Sequence, residues 1–359
     1  MYDMLFLFFV YLYLPLCHYS LYLSVEINND MAKLNVILTV VVGLLFSSCV
    51  SFGYVTFERL EAGSVNYPES VRKVGVVNNM PYFDLARLDK KVLDMPHLEG
   101  DGTIAADTLA HLLASAEYFD DVVICDDMLQ GMEASFSEPY SLSKMRVDSL
   151  MEEMGVDVLF SLDRIKIDLA PWYASSGWNG SQYRGVKVIV TPVLFAYVPG
   201  RDGAWFAISH QDSIGFNWNE PMSLGKFQKD ASSYSAYMLM EYLLPSWKMV
   251  ERPFYASGCV EMRDANVYMM SENWSDAFRL WKQAYETKNG KKKMMAAYNL
   301  AIYYEVHDDT ERALEYLEEA MGLVKSGSYD AGMMNFYRMQ LKNRIEKRQK
   351  LDMQMRRFE

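Results

Sequence analysis

The string Ser209-His210-Gln211-Asp212-Ser213 contains a hydroxyl, an imidazole and a carboxylate, the three residue types of nucleophilic acyl transfer. That chemistry needs nucleophile, base and orienter to meet at one point. Neighbours on an extended chain point to opposite faces, so the string reads as a turn cluster rather than a relay. Cys125-Asp126-Asp127 is the second candidate, because paired carboxylates where a strand ends can divide general acid and base work. A solvated loop is the competing reading, since no histidine or third ligand accompanies the two acids. Metal and cofactor chemistry has less to build on. His97, His111 and His307 are scattered without zinc spacing, and Cys17, Cys49, Cys125 and Cys259 include no C-x-x-C. Neither G-x-x-x-x-G-K nor G-x-G-x-x-G occurs. No residue is therefore assigned a catalytic or metal role, and no cofactor is expected.

Two surfaces suggest binding instead. Trp172, Tyr173, Trp178 and Tyr183 cluster among Ser and Gly in PWYASSGWNGSQ (171–182) and its flank. Exposed rings in such a loop can anchor proteins or glycans, or fold back over a sheet. At the other end, Lys342, Arg344, Lys347, Arg348, Lys350, Arg356 and Arg357 outnumber the nearby acids, as a solvated helix face or a site for an acidic partner. The whole chain carries a formal charge of -12, which excludes general nucleic-acid binding. Charged residues at 23% and aromatics at 14% describe a folded protein, and 359 residues suggest two domains.

The first fifty residues bear on location. Residues 1–30 hold an apolar stretch with no basic residue ahead of it, which suits an over-extended start better than a leader. Met31 and Lys33 then precede NVILTVVVGLLFSSC, a short basic start with an apolar core, so 31–48 reads as a secretory signal. Phe46-Ser47-Ser48-Cys49 resembles the lipobox of bacterial lipoproteins, with Phe46 in place of the usual aliphatic residue. The resemblance implies that Cys49 is lipidated and becomes the new N-terminus, anchored by more than one acyl chain. The apolar run is too short to span a bilayer. Loss of 1–48 removes Lys33, Asp3, Glu26 and Asp30 and takes the charge to -10. The residues after Cys49 open without acids; an acidic tract there resembles a surface-export signal, so the expectation is the periplasmic side of the outer membrane.

Residues 49–69 read as an anchor linker and 70–255 as an α/β domain. RKVGVVNN (72–79), DVVICDD (121–127) and VDVLFSLDRIKI (156–167) predict strands, with helices over 104–119 and 141–155, the second closed by Gly155. YRGVKVIVTPVLFAYV (183–198) and GAWFAISH (203–210) predict a hairpin about Pro199-Gly200-Arg201-Asp202, to which strand 156–167 pairs. A helix over 232–247, interrupted at Pro245, follows. Cys125 and Cys259 remain either a disulfide or two buried thiols. The order of elements in about 70–215 resembles the small α/β domains of envelope lipoproteins that assist secretion or wall synthesis.

Residues 256–350 repeat. Ala265, Tyr268, Ala277, Trp281 and Ala284 recur 36 positions later as Ala301, Tyr304, Ala313, Leu317 and Ala320. This resembles the tetratricopeptide (TPR) pattern, with turns at Asn273-Trp274 and Asp308-Asp309-Thr310, a lengthened inter-repeat turn at KNGKKK, and a capping helix over 329–350. A basic tail, 351–359, ends the chain. The fold class expected is α+β: a small α/β layer domain with antiparallel hairpin strands, then an all-α TPR-like module. Together these features resemble the TPR-containing lipoproteins of Bacteroidetes-type bacteria. The resemblance implies a lipid-anchored envelope protein that tethers or scaffolds protein partners, with Tyr268 and Tyr304 alongside Trp172, Tyr173 and Trp178 as contact residues. The alternatives are an envelope hydrolase using Asp126 and Asp127, and a glycan-binding module.

Overall fold

A computed structural model describes residues 51–83, 97–125, 129–130, 141–175, 182–217 and 223–358. It divides into two compact units, Thr56–Val250 with Met339–Glu359, and Glu251–Arg338 with the described residues up to Val55. The boundary falls within β1 (Phe52–Glu61) and β9 (Ser246–Tyr255), which pair as a two-stranded sheet. Both strands lie where the sequence pattern offered only a linker and a change of character.

The first unit is an α/β structure built on β2 (Lys73–Asn78), β3 (His97–Glu99), β4 (Asp121–Cys125), β5 (Val158–Ser175), β6 (Gln182–Tyr197), β7 (Phe206–Ser209) and β8 (Asp212–Asn217). Its sheet runs β4-β2-β5-β6-β7, with β3 on β5 and β8 on β6. Strand β2 is parallel to both β4 and β5, while β6 pairs antiparallel with β5, β7 and β8. Helices cover both faces, which is why β2 is an unbroken apolar run, buried from Val74 to Asn78. On one face Leu109 and Leu113 of α1 (Gly102–Ser115) and Phe227 and Leu239 of α3 (Leu224–Leu243) pack with Val74, Val76 and Phe160. On the other, Val147, Leu150 and Met151 of α2 (Lys144–Met154) meet Val77 and Leu159.

Local signals set the ends of these helices. Asp101 caps α1 by accepting from the Thr103 and Ile104 amides, and Gly155 closes α2 at a φ of 64°, as the glycine predicts. Helix α1 stops earlier than expected because Glu117 turns left-handed at a φ of 51°. Helix α3 starts at Leu224, well before residue 232, because the Ser223 hydroxyl accepts from the Lys226 amide. It ends at Leu243 because Leu244 precedes Pro245 and is extended, and Ser246 then opens β9.

The second unit is all helical apart from its strand ends: α4 (Val260–Met270), α5 (Trp274–Thr287), α6 (Gly290–Val306), α7 (Thr310–Leu323) and the first part of α8 (Tyr329–Met355). Its hairpins repeat at the expected interval. Glu272 and Asp308 hold positive φ of 55° and 62°, and the next residues, Asn273 and Asp309, cap α5 and α7. The Asn273 and Asp309 amides donate to the carbonyls of Tyr268 and Tyr304, both at 2.9 Å. Ala265, Ala277, Trp281 and Ala284, and their counterparts Ala301, Ala313, Leu317 and Ala320, are all fully buried. One expectation is corrected here. KNGKKK is not a long turn, because Gly290 opens α6 and Lys291, Lys292 and Lys293 form its first turn. The extra length therefore sits in α6, which is buried continuously from Met294 to Ile302.

Candidate functional site

The helical unit carries a ladder of half-buried rings across both hairpins. Trp274, Phe278 and Tyr285 project from α5, Tyr303 and Tyr304 from α6, and Tyr316 from α7. Phe278 lies 4.3 Å from Tyr303 between ring centroids, Tyr304 stacks on Tyr316 at 5.3 Å, and Tyr316 meets Tyr285 edge-on at 5.4 Å. Cations sit on these faces: Lys282 is 5.7 Å from the Tyr316 ring, Lys293 is 4.6 Å from Tyr285, and Arg312 is 5.7 Å from Tyr304. The Lys282 ammonium also donates to the Tyr316 hydroxyl at 3.0 Å, which raises its pKa. Tyr285 donates to Glu319, and that bond first, then burial, pushes its phenol up to about 12. Rings with an apolar body, a polar tip and a fringe of charge are what protein contacts select, because they bury large area at small entropic cost.

Beneath the surface an anchor fixes this unit. Arg252 forms a two-pronged ion pair with Glu305, Nε to Oε2 at 2.8 Å and Nη2 to Oε1 at 2.9 Å, and its guanidinium lies 4.9 Å over the Tyr337 ring. Asn299 both accepts from the Tyr255 amide and donates to the Tyr255 carbonyl, each at 2.9 Å, so α6 is tied to the end of β9.

The α/β unit holds a second polar cluster. Strands β4, β2 and β5 run parallel with the first in sequence, β2, in the middle, so the order reverses at β2 and the crevice beyond the strand ends is the usual ligand position. There the Asn79 amide nitrogen and the Ser161 hydroxyl, the latter at 3.0 Å, both donate to Oδ1 of Asp163. Asp163 is only 2% exposed, and its Oδ2 has no partner among the described residues. It occupies a register shift between Leu162 and Arg164, which turns it away from the regular pleat. Desolvation, opposed by the two hydrogen bonds, pushes its carboxyl up to about 7. Gln130 donates to Asn79 Oδ1 at 2.9 Å. Asn78 accepts from the Met80 amide and packs against Gly102, where a Cβ would fall 2.2 Å from its Oδ1.

The sequence-predicted residues are distributed differently from expectation. Tyr304 belongs to the ring ladder; Tyr268 is half-buried and joins no ring contact among the described residues. Trp172 is corrected from loop to strand: it lies in β5 opposite Gly185, whose missing side chain leaves space for the indole. Tyr173 also lies in β5, opposite Arg184, and Tyr183 in β6, opposite Ala174. Trp178, Cys49, Asp126 and Asp127 lie outside the described residues. Cys125 and Cys259 are thiols, so of the two alternatives the disulfide is not formed.

His210 and Asp212 both line a cavity of about 530 Å³, while Ser209 does not. Asp212 accepts from Tyr234, which holds its carboxyl low, and the His210 ring lies tilted against Tyr242 at 5.3 Å, so the string makes no relay. Among the described residues no cluster of three metal-binding side chains occurs. Sequence reasoning missed Asp163, Asn79 and Ser161. The available signal was Asp163, an acid inside VLFSLD, the otherwise mostly apolar opening of β5.

Comparison with known proteins gives families without an assigned activity. No curated protein matches the chain. Residues 263–343 match a second family, described as Domain of unknown function (DUF6340). Residues 71–255, more than half of the chain and containing the whole Asp163 cluster, match the family described as Domain of unknown function (DUF8603), and the chain belongs to that family.

Proposed function

We propose that this chain is a lipid-anchored protein of a bacterial cell envelope, facing the periplasm, that tethers or scaffolds protein partners through its helical hairpins. The observation that carries the reading is the continuous ladder Phe278-Tyr303-Tyr304-Tyr316-Tyr285 with Lys282, Lys293 and Arg312 laid on it. Its cations favour a partner segment that presents carboxylates beside apolar side chains. The 36-residue recurrence of caps, left-handed turn residues and buried alanines supports a TPR-like module, whose usual work is docking peptide segments. Phe46-Ser47-Ser48-Cys49 supports the anchor.

Two measurements test it. Labelling with an alkynyl palmitate should tag the wild type and not Cys49→Ser; a labelled serine variant excludes the anchor. Cross-linking in intact cells should capture a repeatable partner, and deletion of 262–345 should abolish that product. A second reading, a small-molecule site in the α/β unit, is favoured by the unpartnered Asp163 oxygen at the switch point.

A further inference from the structure

We propose that the cavity where the chain's last arginines meet Tyr118 is a binding site for a phosphate group. The cavity measures about 500 Å³, and Arg72, Arg356, Arg357, Tyr67, Tyr118 and Gln354 are among its walls. Gln354 positions the C-terminal end of α8. It is 2% exposed, accepts from the Gly63 amide at 3.1 Å, and donates to the Val65 carbonyl at 2.7 Å and to Asn66 Oδ1 at 3.1 Å. A 3-10 turn, Arg356–Phe358, follows directly.

The cations there are arranged unequally. Arg357 is already ordered: it donates to the carbonyls of Tyr118 at 3.3 Å and Pro68 at 2.8 Å, and its guanidinium lies 4.8 Å over Tyr118 and 5.5 Å over Phe119. A guanidinium held in place loses little further freedom on binding an anion. Arg356 is exposed and has no hydrogen bond or ion pair among the described residues. Arg72 faces Asp120 at 3.5 Å with both side chains more than half exposed, a pairing weak enough to yield to a better acceptor. Glu69 is the one carboxylate in the wall, so the lining keeps a net positive charge of two.

Three guanidiniums supply more donors than a carboxylate can accept, and a tetrahedral oxyanion matches them better. This site does not depend on the docking surface above.

Isothermal titration of the full chain separates the outcomes. Inorganic phosphate, glycerol 3-phosphate and glycerophosphoglycerol are each titrated, with acetate at matched ionic strength as control. Saturable binding of at least one phosphate compound, weakened about ten-fold by Arg356→Gln and about five-fold by Arg72→Gln, supports the site. Arg356 is exposed, so that variant should keep the wild-type unfolding midpoint. Binding of the diester points to a lipid headgroup; binding restricted to phosphate and the monoester points to a free solute. No saturable heat with any of the three, an equal response to acetate, or full affinity in either variant overturns the proposal.

Discussion

Asp163 is the residue whose chemistry departs furthest from its type. Burial without a cation keeps its proton to about pH 7, whereas an unfolded aspartate releases it near pH 4. Between those values the folded state binds more protons than the unfolded one, so stability falls as pH rises and levels off above about pH 7. Asp163→Asn should remove that decline and exceed the wild type at about pH 8 by up to about 4 kcal/mol. Urea unfolding of both proteins at about pH 5 and about pH 8 checks this; a constant difference between them would contradict the assignment. Arg252 and Glu305 pose the opposite case, with 8% and 0% of the side chains exposed and each charge satisfied by the other. Arg252→Ala should cost about 3–5 kcal/mol, and Arg252→Met with Glu305→Leu much less, both read from the same unfolding curves. Beyond the acid inside VLFSLD, none of these roles was legible in the sequence. Asp163 meets Asn79, 84 positions away, only when β2 and β5 pair, and Arg252 meets Glu305 53 positions away.

Among the elements, legibility followed how local the cause was. Gly155, the hairpin about Pro199-Gly200, and the turn signals at 273 and 309 act within a few residues, and each element they mark is present. The α/β order with antiparallel strands and the all-helical C-terminal module stand as expected. Strands β1 and β9 have no such local mark: VSFGYVTFERLE and PSWKMVERPFY become strands by pairing with each other across the length of the chain. Trp172 was read from its Ser and Gly neighbours, yet the strand continues through it in register with Gly185 on β6. The repeat itself makes a testable symmetry. Asn273→Ala and Asp309→Ala should each cost about 1 kcal/mol by uncapping α5 and α7. Glu272→Gly and Asp308→Gly should each stabilise by about 0.5 kcal/mol, since both residues hold left-handed backbone. Chemical denaturation of the four variants should give two matched pairs; opposite signs within a pair would mean that the hairpins are not equivalent.

For the whole molecule, a body with net negative charge displays two local exceptions, the cation-fringed ring ladder in the helical unit and the arginine-lined cavity in the α/β unit. A lipid on Cys49 would hold both at a bilayer, where partners are confined and modest affinities suffice. The family match gives no activity to set against this reading, so the ladder must be tested directly. The decisive measurement is the yield of the cross-linked partner product in intact cells for the wild type and for Lys282→Glu with Arg312→Glu, two side chains on the solvent edge of the ladder. The account predicts a fall of at least about five-fold at unchanged protein level in the cells. An undiminished product would contradict it.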